Sequence, residues 1–70
     1  MPYVQIQITR EGGTTPAQKA ALIHGATDLL HRVLQKDPAT TFVVIEEVAL
    51  EDWGIGGLPV EDYRRAKASR

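Results

Sequence analysis

The sequence predicts an α+β fold: one β-α-β subunit with a two-stranded parallel sheet and a C-terminal hairpin corner, whose sheet and core are completed by oligomerisation. Three observations predict it. An alternating stretch at the N-terminus is followed by apolar residues at three- and four-residue spacing, and then by a β-branched and aromatic run, Thr40 to Val48. The whole chain, 1–70, reads as one domain, with 58–70 as a basic C-terminal tail.

The first strand spans Tyr3 to Thr9. Val4, Ile6 and Ile8 fall on one side and Gln5, Gln7 and Thr9 on the other, the period of a strand with one buried face, and Pro2 shares the apolar parity. Gly12-Gly13 marks the turn that follows. Thr15 then suits a helix N-cap, with Pro16 in the first turn, where a missing N–H costs nothing, and Gln18 three residues on to complete a capping box. Leu22, Ile23, Ala26, Leu29, Leu30, Val33 and Leu34 form one broad apolar stripe, and Pro38 sets the helix end near Lys36.

Within the second strand Phe42, Val43, Val44 and Ile45 show no alternation, which predicts cover on both faces. Strand, helix and strand at this spacing form a right-handed parallel crossover. One helix covers one face only, so the other, where Phe42 or Val43 points, needs another copy of the chain. The last third brings a glycine-rich corner with Trp53, Ile55 and Leu58, apolar residues suited to packing on a neighbouring subunit.

Composition narrows the function. A chain of 70 residues is short for a self-sufficient core, and with no cysteine neither disulfides nor thiolate zinc can staple it. Association is the remaining device. Eight basic against nine acidic side chains argue against nucleic acid as a partner. No apolar run reaches membrane-spanning length, and the N-terminus carries a strand pattern in place of a signal peptide, so the expectation is a soluble cytoplasmic protein.

Candidate chemistry is sparse. His24, Asp28 and His31 share a helix face at i, i+4 and i+7 but read as solvated polar groups, so no metal site is expected. Gly54-Ile55-Gly56-Gly57 lacks the lysine and hydroxyl of a phosphate loop and reads as a hairpin corner. Glu46 and Glu47 point to opposite faces of a strand and cannot form a close dyad; with Glu51 and Asp52 they read as surface charge. Arg64, Arg65, Lys67 and Arg70 form a basic end, and Ser69, the single serine, has no base beside it. Pro2 stands apart. Removal of Met1 would leave it a free secondary amine, and an α-amino group titrates near about 7.7–8.0, lower still when its charged form is desolvated. A base poised near operating pH is what proton abstraction needs.

Taken together, MPYVQIQITREG, TPAQKAALIHGATDLLHRVL, TTFVVIEEV and the WGIGG corner resemble the 4-oxalocrotonate tautomerase family over nearly the whole chain, up to about Gly57. The resemblance implies removal of the initiator methionine and assembly of β-α-β subunits as dimers into a homo-hexamer with active sites near subunit boundaries. It also implies an isomerase that needs no cofactor and moves a proton between carbon and oxygen in small enol and keto acids. Pro2 matches the family's general acid/base, and Trp53 matches the aromatic wall of its pocket. The family's two substrate arginines fall near Gly13 and on Phe42, and neither is arginine here. Arg10 is a short loop away from the first place, and Arg64 or Arg65 could enter a neighbour's site, which makes these three the expected substrate-binding arginines. Loss of both family arginines also motivates an alternative, a non-catalytic oligomeric binding module on the same fold.

Overall fold

The computed structural model describes residues 1–68; Ser69 and Arg70 of the basic end lie outside the described residues. Strand β1 (Tyr3–Thr9) leads through a loop into helix α1 (Pro16–Leu34), and after a short 3-10 turn (Pro38–Thr40) strand β2 (Phe42–Val48) pairs with β1 in parallel. A second 3-10 turn (Leu50–Asp52) leads to a two-residue hairpin, β3 (Gly54–Ile55) and β4 (Leu58–Pro59), and helix α2 (Val60–Ala68) follows. The β-α-β subunit and the hairpin corner are thus as the sequence predicts.

The caps that frame α1 are local. Gln18 N–H donates to Thr15 Oγ1 at 3.1 Å, and Thr15 N–H donates back to Gln18 Oε1 at 2.9 Å, so two donors left over by helix geometry are satisfied reciprocally. The helix stops at Leu34, slightly before the expected Lys36, because Gln35 takes a left-handed conformation (φ 55°) and its N–H returns to the His31 carbonyl.

The β1–β2 register pairs Val4 with Val43, Ile6 with Ile45 and Ile8 with Glu47, and these residues are the half-buried face beneath α1. Lys19, Ala26 and Leu30 are half-buried on the helix. Lys19 Nζ reaches Glu47 Oε2 at 2.9 Å, fastening the start of α1 to the end of β2. The opposite sheet face is open: Tyr3 is 60% exposed, Phe42 52% and Val44 43%. Within one chain, therefore, α1 covers one face of β2 and leaves open the other, the face expected to need a second copy of the chain. The apolar run hid the alternation, and of the two candidates for the outer face it is Phe42 that points there, with Val43 turned to the helix.

The stretch 58–70, read as a tail, is folded through Ala68: Leu58 and Pro59 close the hairpin and Val60 begins α2. Val60, at 8% exposure, is the one buried hydrophobic residue among those described, and its N–H donates to the Trp53 carbonyl at 2.9 Å. The subunit is long for its size, 48 × 23 × 19 Å with a radius of gyration of 16.1 Å. A compact chain of this length would have about 11 Å. Burying a residue such as Phe42 is worth about 1.5–3 kcal/mol, and a single chain leaves that contribution unused.

Candidate active site

Pro2 sits at the entrance to β1. Its carbonyl accepts a hydrogen bond from Phe42 N–H at 3.0 Å, which fixes the residue to the first position of β2. The ring is half-buried, while Met1 beyond it is 87% exposed. Taking Met1 away would therefore remove little packing. While Met1 is attached, the Pro2 nitrogen is an amide with neither a proton to give nor a basic lone pair.

The other expected site residues stand elsewhere. Arg10 lies at the far end of β1, eight residues from Pro2, or about 26 Å at 3.3 Å per strand residue. Its N–H donates to the Val48 carbonyl at 2.7 Å, and its guanidinium Nη2 donates to the Glu47 carbonyl at 3.1 Å. Trp53 borders the same end: with Gln7, Val48, Asp52 and Gly54 it lines an open depression of about 270 Å³. The backbone holds Trp53 on both sides, since its N–H donates to the Leu50 carbonyl at 3.3 Å and its own carbonyl receives the Val60 N–H. One chain thus gathers Arg10 and Trp53 around Val48 and leaves Pro2 at the opposite end of the sheet.

Arg64 and Arg65 differ from Arg10 in their partners. Arg64 projects from α2 to Glu11, with Nη1 to Oε1 at 2.9 Å and Nη2 to Oε2 at 3.5 Å. Arg65 pairs with Asp62 on its own helix. Glu11 also accepts from the Thr9 hydroxyl. The Arg64 hydrogen bond, followed by that of Thr9, holds the Glu11 carboxyl below its ordinary range, and the same contact raises the Arg64 guanidinium. Among the described residues Arg10 has no carboxylate partner. Of the three arginines it is the one whose charge is left to meet an anion.

Glu11 escaped the sequence reading, although its place directly after Arg10 was the available signal. A larger depression of about 510 Å³, lined by Ile55, Val60, Tyr63, Arg64, Lys67 and Ala68, lies between the hairpin and α2. Glu46 and Glu47 do point apart: Glu46 accepts from the Gln7 amide on the open face, and Glu47 meets Lys19 beneath the helix. Asp28 pairs with Arg32 at 2.7 Å, and no cluster of three His, Asp or Glu able to hold a metal occurs among the described residues. No helix among them is long and apolar enough to cross a membrane.

Comparison with known proteins shows which family shares this fold. Residues 2–63 match the family described as tautomerase enzyme. The chain is 52% identical over 69 residues to probable tautomerase K2 of Dickeya dadantii, covering 99% of this chain and 100% of that one. It is 35% identical over 65 residues to the 2-hydroxymuconate tautomerase of Pseudomonas putida, covering 93% and 100% respectively. The crystal structure of DmpI from Helicobacter pylori superposes with a TM-score of 0.81 at 38% identity, covering 91% of this chain and 97% of that one. The chain belongs to the tautomerase family, in its 4-oxalocrotonate tautomerase group, and is an isomerase.

Proposed function

We propose that the protein, once Met1 has been removed, interconverts keto and enol forms of small 2-oxo acids without a cofactor, with the Pro2 nitrogen as general acid and base. The observation that carries this reading is the pairing of an anchored Pro2, tied through its carbonyl to Phe42, with a Met1 that is 87% exposed. A neutral Pro2 amine takes a proton from the enol oxygen or the carbon next to the carbonyl. The resulting ammonium returns it at another atom, so the substrate leaves as its isomer with nothing gained or lost.

Arg10 supplies the countercharge for the substrate carboxylate, and Trp53 excludes water and disfavours the protonated amine. With about 26 Å of strand between them, Pro2 and Arg10 of one chain cannot hold one small substrate. The reading therefore places each site between copies of the chain, in a homo-oligomer whose subunits cover one another's open sheet faces. A hexamer built from dimers is the proposed assembly. The likeness to 2-hydroxymuconate tautomerase makes unsaturated 2-hydroxy acids the first substrates to try.

The test is ketonisation of phenylenolpyruvate or 2-hydroxymuconate by protein whose intact mass shows Met1 absent. Pro2→Ala should abolish most of the turnover while the oligomer persists. Wild-type rates in Pro2→Ala would discard the mechanism.

A further inference from the structure

Two carboxylates flank Arg10, Glu11 next in the chain and Glu47 at the end of the paired strand, and each is held by another cation. Glu47 is held by Lys19 at 2.9 Å, and Glu11 by both terminal nitrogens of Arg64 at 2.9 and 3.5 Å. Among the described residues the Arg10 guanidinium donates only to the neutral Glu47 carbonyl, at 3.1 Å. Resting on the reading that Arg10 meets the substrate carboxylate, we propose that Arg64 is a positioning residue: by holding Glu11 it keeps that carboxylate from quenching Arg10, and so leaves Arg10 open to an anionic substrate.

The geometry decides between this role and direct contact with substrate. The Arg64 fork is already turned to both oxygens of one carboxylate, the arrangement it would otherwise offer a substrate. If Arg64 is lost, Glu11 keeps the neutral Thr9 hydroxyl but no cation. Consecutive Cα atoms are about 3.8 Å apart, so a released Glu11 carboxylate competes for its neighbour Arg10 over a distance comparable with the screening length of about 8 Å at physiological salt. The backbone permits that rearrangement, because Glu11 is followed by Gly12 in a left-handed conformation (φ 76°) and by Gly13, with nothing near either glycine within 4 Å of where a Cβ would be. Glu11 and Arg64 have side chains 46% and 54% exposed, so replacing either leaves the packed face beneath α1 untouched.

The experiment compares the full chain with Arg64→Ala, Glu11→Gln and the double variant, using phenylenolpyruvate at low ionic strength. Arg64→Ala should raise KM roughly three- to fivefold with kcat little changed, and adding Glu11→Gln should bring KM back to within about twofold of wild type, the range expected when a surface charge is uncovered and then removed. An unchanged KM in Arg64→Ala overturns the proposal. So does a double variant that keeps the raised KM, since removing Glu11 cannot rescue a lost substrate contact or a lost brace. Affinity for phenylpyruvate, read from quenching of the single tryptophan, Trp53, should follow the same order in the four proteins. That readout needs no turnover, so its outcome stays separate from that of the Pro2 mechanism.

Discussion

Arg64 and Glu11, 53 residues apart in the chain, meet at 2.9 Å and join the C-terminal helix to the loop leaving β1. Both side chains are about half exposed, and ion pairs of that kind contribute little to stability. Its consequence is positional: α2, which otherwise rests on the hairpin through Val60, is brought beside the loop that carries Arg10.

This contact should be visible in a pH titration. Glu11 is held below its ordinary 4.5 by the Arg64 and Thr9 hydrogen bonds. The folded chain therefore binds fewer protons there than the unfolded one, so the stabilising contribution is complete above the unfolded value and is lost as pH falls through the lower folded value. In a carbon-detected NMR titration the Glu11 carboxyl should have its midpoint below 4.5 in the wild type and move up in Arg64→Ala. Coincident midpoints in the two proteins would show that the pair does not persist in solution.

The capping box makes a second prediction. Thr15→Ala removes the acceptor for Gln18 N–H and should cost about 1 kcal/mol, whereas Thr15→Ser should keep most of the stability. Thermal unfolding at one fixed protein concentration is the appropriate measurement, since in the proposed oligomer the melting temperature would depend on concentration. Equal melting temperatures for Thr15→Ala and wild type would mean that the cap is redundant.

How far the sequence could be read depended on how locally each element is determined. The Val4-Ile6-Ile8 alternation and the Thr15–Gln18 box each lie within one short segment, and both were legible. In β2 the four apolar residues from Phe42 to Ile45 conceal which side is inward; only the register, with Val43 against Val4, resolves it. Helix α2 was missed because VEDYRRAKA is charge-dense with one buried apolar anchor, Val60. Its acidic first turn, Glu61 and Asp62, and basic last turn, Arg65 and Lys67, complement a helix dipole and were the available signal. Of the proposed site, Pro2 could be nominated from the sequence because the chemistry argued for it depends on chain position. The Arg64–Glu11 pair was not, because a charge does not reveal its partner 53 residues away.

The open sheet face predicts how the proposed assembly fails. Val44 is 43% exposed, between Phe42 and Glu46 on that face. Val44→Lys would bury an unpaired ammonium in any interface formed there, and breaking an interface in this way should shift the protein to smaller species in sedimentation velocity. Keto–enol activity should fall with the assembly. A Val44→Lys protein of unchanged size and rate would show that this face is not where copies meet.

Separation of Pro2 from Arg10 along β1 gives the most direct test of a shared site. If a substrate bridges two copies, then Pro2→Ala and Arg10→Ala damage different contributors to each site. Each variant alone should be poor at low substrate concentration, the first for want of a base and the second for want of an anion partner. Unfolded together in equal amounts and refolded, the two should form mixed oligomers. In a random mixture about a quarter of the sites draw an intact Pro2 from one chain and an intact Arg10 from another, so about a quarter of wild-type activity should return. The same proteins refolded apart and then mixed should stay inactive. Were both groups to act from one chain, no mixed oligomer could contain a complete site, and activity would remain at the level of the separate variants.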